Sequence, residues 1–594
     1  MNYKNLVLPV CAALLTVTAN AQEVQIKSAS FTTNFTISSG LSVRMEDPSA
    51  DSIWVGNGTR NGETGSALAA TQDDGNLNFE KGDIVNAPVT VIGDFDYNVE
   101  DEYGLFVRVK AVQDLALTRN EVKHGHSANN YAADSELDDS DFETLAQFSH
   151  MALLDSFVYS SFELGEKPVD LRVGRQVVSW GEGLFIQGGI NGVNPLDASA
   201  FRRPGTELKE GLIPLGMVYG NVGMNDSLSI EGFWAPEWRP LALDGCGTFF
   251  STNDVAAEGC DQLSLATFSP QLDDSSAQAT SRFMPRGKNV EPDSMEPDNF
   301  GLAARFFADN IDTEFGFYLT QLDSRRPNIS YRAGDATVPP TDALPLPLSL
   351  GSSQYVVEYA ENIQTFGLSA STNLGGLAVA AELSYRPNQP VQINTSDTTA
   401  AALFLGRHSL TLDGGVNPAD ALFADVAPGT LVSGYVEAQQ IKGQVSTIAF
   451  FDRALGASRV AAVFELGFES LNADNPLELN LGRASIYGAE GTNNSQGEGF
   501  YTDFSAGFRS RFGAAYPNVF NGINLTPQLS IGHDISGYSS DGQFVEGRTT
   551  AALSLGFDYL NRYEGSLSYN TSFGGDYFAF DDRDFLSAIF RVKL

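Results

Sequence analysis

The last ten residues, Phe585 to Leu594, constrain the fold more than any other stretch of the chain. Leu586, Ala588, Phe590, Val592 and Leu594 share one parity and are all apolar, while Ser587, Ile589, Arg591 and Lys593 hold the other. Successive side chains of a strand point to opposite faces, so this segment has one greasy face and one largely polar face. A strand of that pattern, greasy to its final residue, predicts the closing strand of an outer-membrane barrel. Such strands usually end on Phe; here the residue is Leu594.

The alternation recurs along the chain. Val89, Val91, Phe95, Tyr97 and Val99 oppose Thr90, Asp94, Asp96 and Asn98, and Leu105, Val107, Val109 and Ala111 oppose Phe106, Arg108 and Lys110. Thr313, Phe315, Phe317 and Leu319 repeat the pattern, as do Leu553, Leu555, Phe557 and Tyr559. Each segment has about the ten residues a tilted strand needs to cross a bilayer. Short connections, among them 100–102, 165–167, 513–518 and 560–561, alternate strictly with long polar stretches near 47–85, 113–152, 177–211, 235–296, 323–352, 387–436, 471–496, 534–544 and 573–584. That rhythm predicts an all-β chain forming a transmembrane antiparallel β-barrel with short periplasmic turns and long extracellular loops. Counting one strand on each side of every connection predicts about 18 strands, or 16 if weak strands merge. A secreted sandwich or propeller would have shorter strands, and no fixed-period repeat is visible.

The N-terminus fits the same compartment. Lys4, an apolar run from Leu6 to Val17, and Ala19-Asn20-Ala21 before Gln22 read as an export signal over residues 1–21. Residues 22–594 are then one barrel domain in the outer membrane of a Gram-negative cell. Cys11 lies inside the apolar run rather than after a lipoprotein cleavage box, so no lipid anchor is expected.

A net charge of −38 and a pI near 4.3 argue against nucleic acid as a partner. Much of the acid lies in turn-rich segments such as 134–143 and 581–584, which read as solvated loops beside outer-membrane lipid and lipopolysaccharide. Divalent-cation binding, directly or by bridging lipopolysaccharide phosphates, is the sharper reading, although no stretch has EF-hand spacing. Cys246 and Cys260 are close in sequence, in an exported chain, and are expected to pair and staple a loop. No histidine or third cysteine lies near them in sequence, so no metal role is read there.

The stretch from Arg172 to Gly211 begins as a strand and becomes a Gly-rich loop mixing Trp180, Phe185 and Ile186 with Arg175, Glu182, Asp197, Arg202 and Arg203. We expect this loop to fold into the lumen as a constriction, its aromatics packed and its charges paired with the wall; the alternative is a compact external loop. The lumen parity offers Arg108, Lys110, Arg172, Arg305, Arg591 and Lys593 against Asp94, Asp96, Asp312, Glu314, Asp558 and Glu564. Structural ion pairs filling a wet interior are expected, with no single-sign ladder to select ions. His124-Gly-His126 has no adjacent carboxylate or cysteine spacing to complete a metal site and reads as incidental histidines in a mobile loop. No nucleophile motif accompanies any histidine, so no enzyme, cofactor or metal is expected.

Several passages resemble an uncharacterised proteobacterial family, domain-of-unknown-function family thirteen-oh-two. They are residues 74–82 (DGNLNFEKG), 152–158 (ALLDSFV), 171–183 (LRVGRQVVSWGEG), 188–200 with its Asn194-Pro-Leu-Asp197, and 383–392 (LSYRPNQPVQ). The resemblance implies an outer-membrane barrel encoded near a periplasmic companion protein and an RND-type permease, and so the handling of lipidic or other hydrophobic molecules. The expectation is therefore a partly plugged outer-membrane channel for a hydrophobic or amphipathic molecule. A diffusion porin for polar solutes and a surface scaffold or adhesin are the alternatives.

Overall fold

The computed structural model describes residues 22–26, 28–267, 271–293, 298–335, 349, 352–406, 417–473, 479–488 and 498–594. Residues 1–21, where the export signal is expected, lie outside the described residues. The main sheet has twenty strands, of which Gln22–Ile26 and Ile84–Asn86 are short and lie against the first wall strand. The other eighteen form a closed antiparallel barrel.

In chain order the wall begins with β1 (Ala29–Arg44), β2 (Pro88–Val99), β3 (Tyr103–Asp114), β4 (Ser149–Leu164), β5 (Lys167–Gln176) and β6 (Leu215–Asn225). It continues through β7 (Leu228–Trp234), β8 (Phe300–Ala308), β9 (Thr313–Leu322), β10 (Ile363–Leu374), β11 (Leu377–Gln392) and β12 (Tyr435–Asp452). It ends with β13 (Arg459–Asn472), β14 (Phe504–Phe520), β15 (Ile523–Ser536), β16 (Thr549–Tyr559), β17 (Tyr563–Phe573) and β18 (Phe585–Lys593). Each strand pairs with its sequence neighbours, and β18 returns to β1 from Phe585 opposite Arg44 to Lys593 opposite Thr36. Leu594 extends this seam, its N–H donating to Phe35 O at 2.8 Å. Closure leaves no unpaired edge in the wall, which is what lets strands cross lipid at all.

The predicted parity holds. Leu302, Phe317, Leu368, Val445, Leu553 and Phe590 are exposed on the outer face, while Ser587, Lys110 and Glu465 are buried on the inner one. The long and short connections fall where the alternation places them, with one correction. The turn expected at 513–518 is strand: β14 runs to Phe520, its pairing to β15 broken between Tyr516 and Phe520, and the chain reverses at Asn521 and Gly522. Pro517 lacks a donor and Asn518 has a φ of 50°, so this stretch is an irregularity inside the hairpin rather than its tip.

The long loops build a cap with its own core. Tyr331, Tyr355, Val357, Ile393, Leu403 and Phe423 bury together in one part of it. Phe79, Val122, Phe142, Phe148 and Phe249 pack around the Cys246–Cys260 disulfide in another.

Candidate functional site

The loop between β5 and β6 leaves the wall and crosses the barrel interior. Its path is fixed by two glutamates on inward positions of distant strands. Glu382 on β11 accepts the N–H of Glu182 at 2.6 Å, of Gly183 at 3.2 Å and of Ile190 at 3.3 Å. Glu465 on β13, seven places round the wall from β6, accepts those of Leu184 (2.9 Å), Phe185 (2.7 Å) and Ile186 (2.8 Å). A carboxylate has oxygens enough for several donors, and consecutive N–H groups turned inward form a nest for an anion. Arg386 Nη2 adds a bond to Gly189 O at 2.8 Å, and Ile186 lies against Gly467, where a Cβ would meet its side chain at 2.5 Å.

On the near wall the loop is held by apolar packing. Trp180, 1% exposed, packs on Phe233 and Tyr318 with ring centroids 5.0 and 5.9 Å away. Its Nε1 donates to Glu231 at 2.8 Å; Glu231 also receives Tyr219 OH at 3.0 Å and Arg305 Nε at 2.8 Å, and Arg305 reaches on to Glu314 at 3.2 Å. The returning half of the loop lies along β3, β18 and β1. Lys110 Nζ is 3.5 Å from Asp197, which caps the short helix Ala198–Arg202 by accepting Ala200 N–H at 2.8 Å. Arg203 Nη2 donates to Leu145 O at 2.8 Å, and Arg591 reaches Glu207 at 2.8 Å and Glu564 at 3.4 Å.

The sequence candidates therefore separate. Trp180, Asp197 and Lys110 join the loop to the wall, Arg203 ties it to Leu145 in the β3–β4 loop, and Arg305 holds from the wall side the Glu231 that Trp180 bonds. Glu182 takes part through its main chain. Arg108 pairs with Asp94 at 2.7 Å and Asp155 at 3.0 Å, and Arg172 lies over the Tyr219 ring at 4.4 Å, both as wall contacts. Arg175 does not face the lumen: it shares the outward parity of Leu171 and Val173 and pairs with Glu237 at 2.6 Å beside Gly216. Arg202 sits higher, over the Phe250 ring and 3.9 Å from Asp244. Asp312 also leaves the lumen set, since it sits exposed in the β8–β9 turn at a φ of 49°.

Sequence reasoning passed over the two residues that aim the loop, Glu382 and Glu465. The signal was present: each is an acid on the lumen parity of a wall strand, and a buried acid is costly unless its oxygens are satisfied.

Phe185 marks the far edge of the loop, under the Arg511 guanidinium at 5.3 Å. Between it and the inner faces of β14 to β17 lies a gap of about 260 Å³ lined by Arg509, Arg511, Ser530, Thr550 and Asn570. In the cap, a larger cavity of about 940 Å³ is lined by Trp54, Leu241, Leu263, Leu265, Phe404 and Phe578, with Arg326 and Arg548 among its polar groups.

Two sequence expectations about the histidines need correction. His124 and His126 are both fully buried, so they are not incidental residues of a mobile loop. His126 Nδ1 lies 3.5 Å from Cys246 Sγ, so the disulfide has a histidine beside it in space though not in sequence. Burial pushes the His126 imidazole down to about 4, so it packs as a neutral ring.

Outer-membrane barrels of known structure resemble this chain in fold. The outer membrane protein opdK from Pseudomonas aeruginosa is 10% identical, with 95% of this chain and 98% of that chain covered at a TM-score of 0.39. OccAB1 of Acinetobacter baumannii is 9% identical over 96% and 97%, at 0.41, and a BenF-like porin from Pseudomonas fluorescens Pf-5 is 11% identical over 95% and 98%, at 0.39. Likeness this remote assigns no cargo. No curated protein matches the chain significantly. The family model described as "Protein of unknown function (DUF1302)" matches residues 3–594, the whole of the barrel, its crossing loop and its cap, and the chain belongs to that family.

Proposed function

We propose that this barrel is an outer-membrane channel that passes a small hydrophobic or amphipathic molecule through a partly plugged lumen. The observation that carries the reading is the cap cavity of about 940 Å³ with its largely apolar lining. Its size suits one drug-sized or short lipid-like molecule, and a few polar groups among apolar walls are what such sites use to orient a ligand. The loop across the lumen, held at both walls, supports a barrel that is not freely open to water. The sequence carries no nucleotide-binding motif, so flux would be passive or drawn by a partner. A periplasmic companion and an RND-type permease are the partners that the family resemblance implies.

The second reading, a porin for polar solutes, is favoured by the gap beside Phe185, whose Arg509 and Arg511 would meet an anion. Single-channel conductance of the refolded full chain in a planar bilayer separates the two. Silence, with insertion confirmed by heat-modifiable migration, is expected for the plugged channel. A steady, large conductance would overturn it in favour of the porin.

A further inference from the structure

Where the loop joining β1 to β2 meets the loops from β3 to β4 and from β7 to β8, four carboxyls and a histidine are buried together. Asp73 and Asp74 come from the first loop, His124 from the second, and Asp254 and Asp274 from the third. Asp73, Asp74 and His124 are fully buried, Asp274 is 1% exposed, and Asp254 is 4% exposed. Donor atoms of Asp74, His124 and Asp274 all lie within 4.8 Å of one another, and a second such group joins Asp74 to Asp73 and Asp254.

Ordinary hydrogen bonding accounts for part of this cluster and stops short at its centre. Asn57 Nδ2 serves Asp73 at 3.0 Å and Asp274 Oδ2 at 2.5 Å, and Trp54 N–H serves Asp73 at 3.0 Å. Both oxygens of Asp74, Oδ1 of Asp274 and Nε2 of His124 have no hydrogen-bond partner among the described residues. Yet His124 Nε2 is only 3.3 Å from Asp74 Oδ1 and 3.7 Å from Asp274 Oδ2. These atoms converge without pointing along one another's hydrogen-bond directions. Donors about 2.0–2.2 Å from one tetrahedral ion stand about 3.4 Å apart, close to the two distances from Nε2 to the carboxylates.

We propose that Asp74, Asp274 and His124 bind a divalent transition-metal ion of the Zn²⁺ class, with Asp73 and Asp254 completing its negative surroundings. One imidazole nitrogen among carboxylate oxygens suits such an ion better than Ca²⁺, which takes oxygen alone. Asp73 and Asp254 stand beside Asp74, so four carboxyls crowd one pocket from which water is excluded. A cation at the centre relieves that crowding. Tyr131 closes the site on the other side of the ring, its centroid 5.5 Å from that of His124. His124 Nδ1 faces two donors, Asn61 Nδ2 at 3.0 Å and Arg60 Nη1 at 3.5 Å. Binding through Nε2 puts the ring proton on Nδ1, so Asn61 must reverse its amide and release Asn57 O, and Arg60 Nη1 must turn away while Nη2 keeps Tyr131 O at 2.6 Å. The bound ion ties three extracellular loops into one unit beside the disulfide.

The test uses the full chain refolded in detergent, stripped with EDTA and dialysed against Zn²⁺, with the metal measured by mass spectrometry. One Zn²⁺ per chain is expected, together with at least tenfold slower proteolysis of the cap that EDTA reverses. Co²⁺ in place of Zn²⁺ reports the donors through its visible absorption, which His124→Ala should change and Asp274→Asn should abolish. Heat-modifiable migration confirms an intact barrel in each variant, and the wild-type titration stands even if a variant's cap misfolds. Absence of stoichiometric Zn²⁺ on an intact wild-type barrel would overturn the site. Retention of Ca²⁺ but not Zn²⁺, or a Co²⁺ spectrum unchanged in His124→Ala, would overturn the assignment of His124 as ligand.

Discussion

The carboxylate of Glu465 on β13 receives the main-chain N–H of Phe185 at 2.7 Å, although Phe185 belongs to a loop rooted seven strands away round the barrel. Each such bond to an ionised acceptor is worth roughly 1.5–3 kcal/mol. Replacing Glu465 and Glu382 together by Gln turns one acceptor oxygen of each into a donor facing N–H groups. The double variant should free the loop tip and open a steady single-channel conductance where wild type is silent. Unchanged conductance in correctly inserted protein would show that the glutamates do not hold the passage closed.

Trp180 is the apolar end of the same clamp. Truncating a buried Trp commonly costs about 3–5 kcal/mol, and here Trp180→Ala would also leave Glu231 without one of its three donors. Because the wall closes independently of the loop, the loss should appear locally, as faster proteolysis within 177–211 and higher leakage of polar solutes. Deleting Trp180 to Ala200 should raise leakage further.

Ala400 lines the cap cavity from the helix Thr395–Phe404. An indole placed there fills space that cargo would need, so Ala400→Trp should weaken binding of a fluorescent hydrophobic probe at least tenfold. Probe titration on wild type and variant checks this, with conductance as the control.

The cap also carries a proton-linked term. Burial, with repulsion from Asp397 adding, raises the Asp420 carboxyl to about 6. The folded cap then binds this proton more tightly than the unfolded chain, whose Asp titrates near 3.9. The stabilising contribution is therefore complete below about pH 4 and is lost as pH rises through about 6. Asp420→Asn should remove that dependence and leave the helix Thr395–Phe404 better protected at pH 7.5, as hydrogen exchange would show.

The disulfide closes a sequence separation of 14. Loop-closure entropy assigns a cross-link of that length about 3 kcal/mol. Replacing Cys246 and Cys260 by Ser should lower the cap's thermal transition by several degrees and leave the barrel's own melting unchanged, which two-stage calorimetry would resolve.

What could be read from the sequence follows the range of the forces involved. β2, β3 and β16 to β18 were legible because a strand between lipid and water must alternate with period two, and that pattern is local. The hairpin of β14 and β15 was misplaced because Pro517 and Asn518 carry turn chemistry without making a turn. The crossing of the 177–211 loop was legible from its mixture of aromatics and charges. Its partners were not, since Glu382 and Glu465 lie about 200 and 280 residues downstream. Arg175 was misread because a position at the strand's end, next to the loop, hides its parity. His124 was dismissed for want of nearby carboxylates; Asp74 and Asp274 stand 50 and 150 residues away, and only the cap brings them to it.

Because Glu465 holds the loop tip by its main chain, it places no demand on the side chains of Leu184 and Phe185 beyond the backbone path itself. A substitution at Leu184 or Phe185 alters what a passing molecule meets while leaving the grip intact. The barrel is thus a mount with an interchangeable insert, whose selectivity is open to redesign one residue at a time without rebuilding the wall.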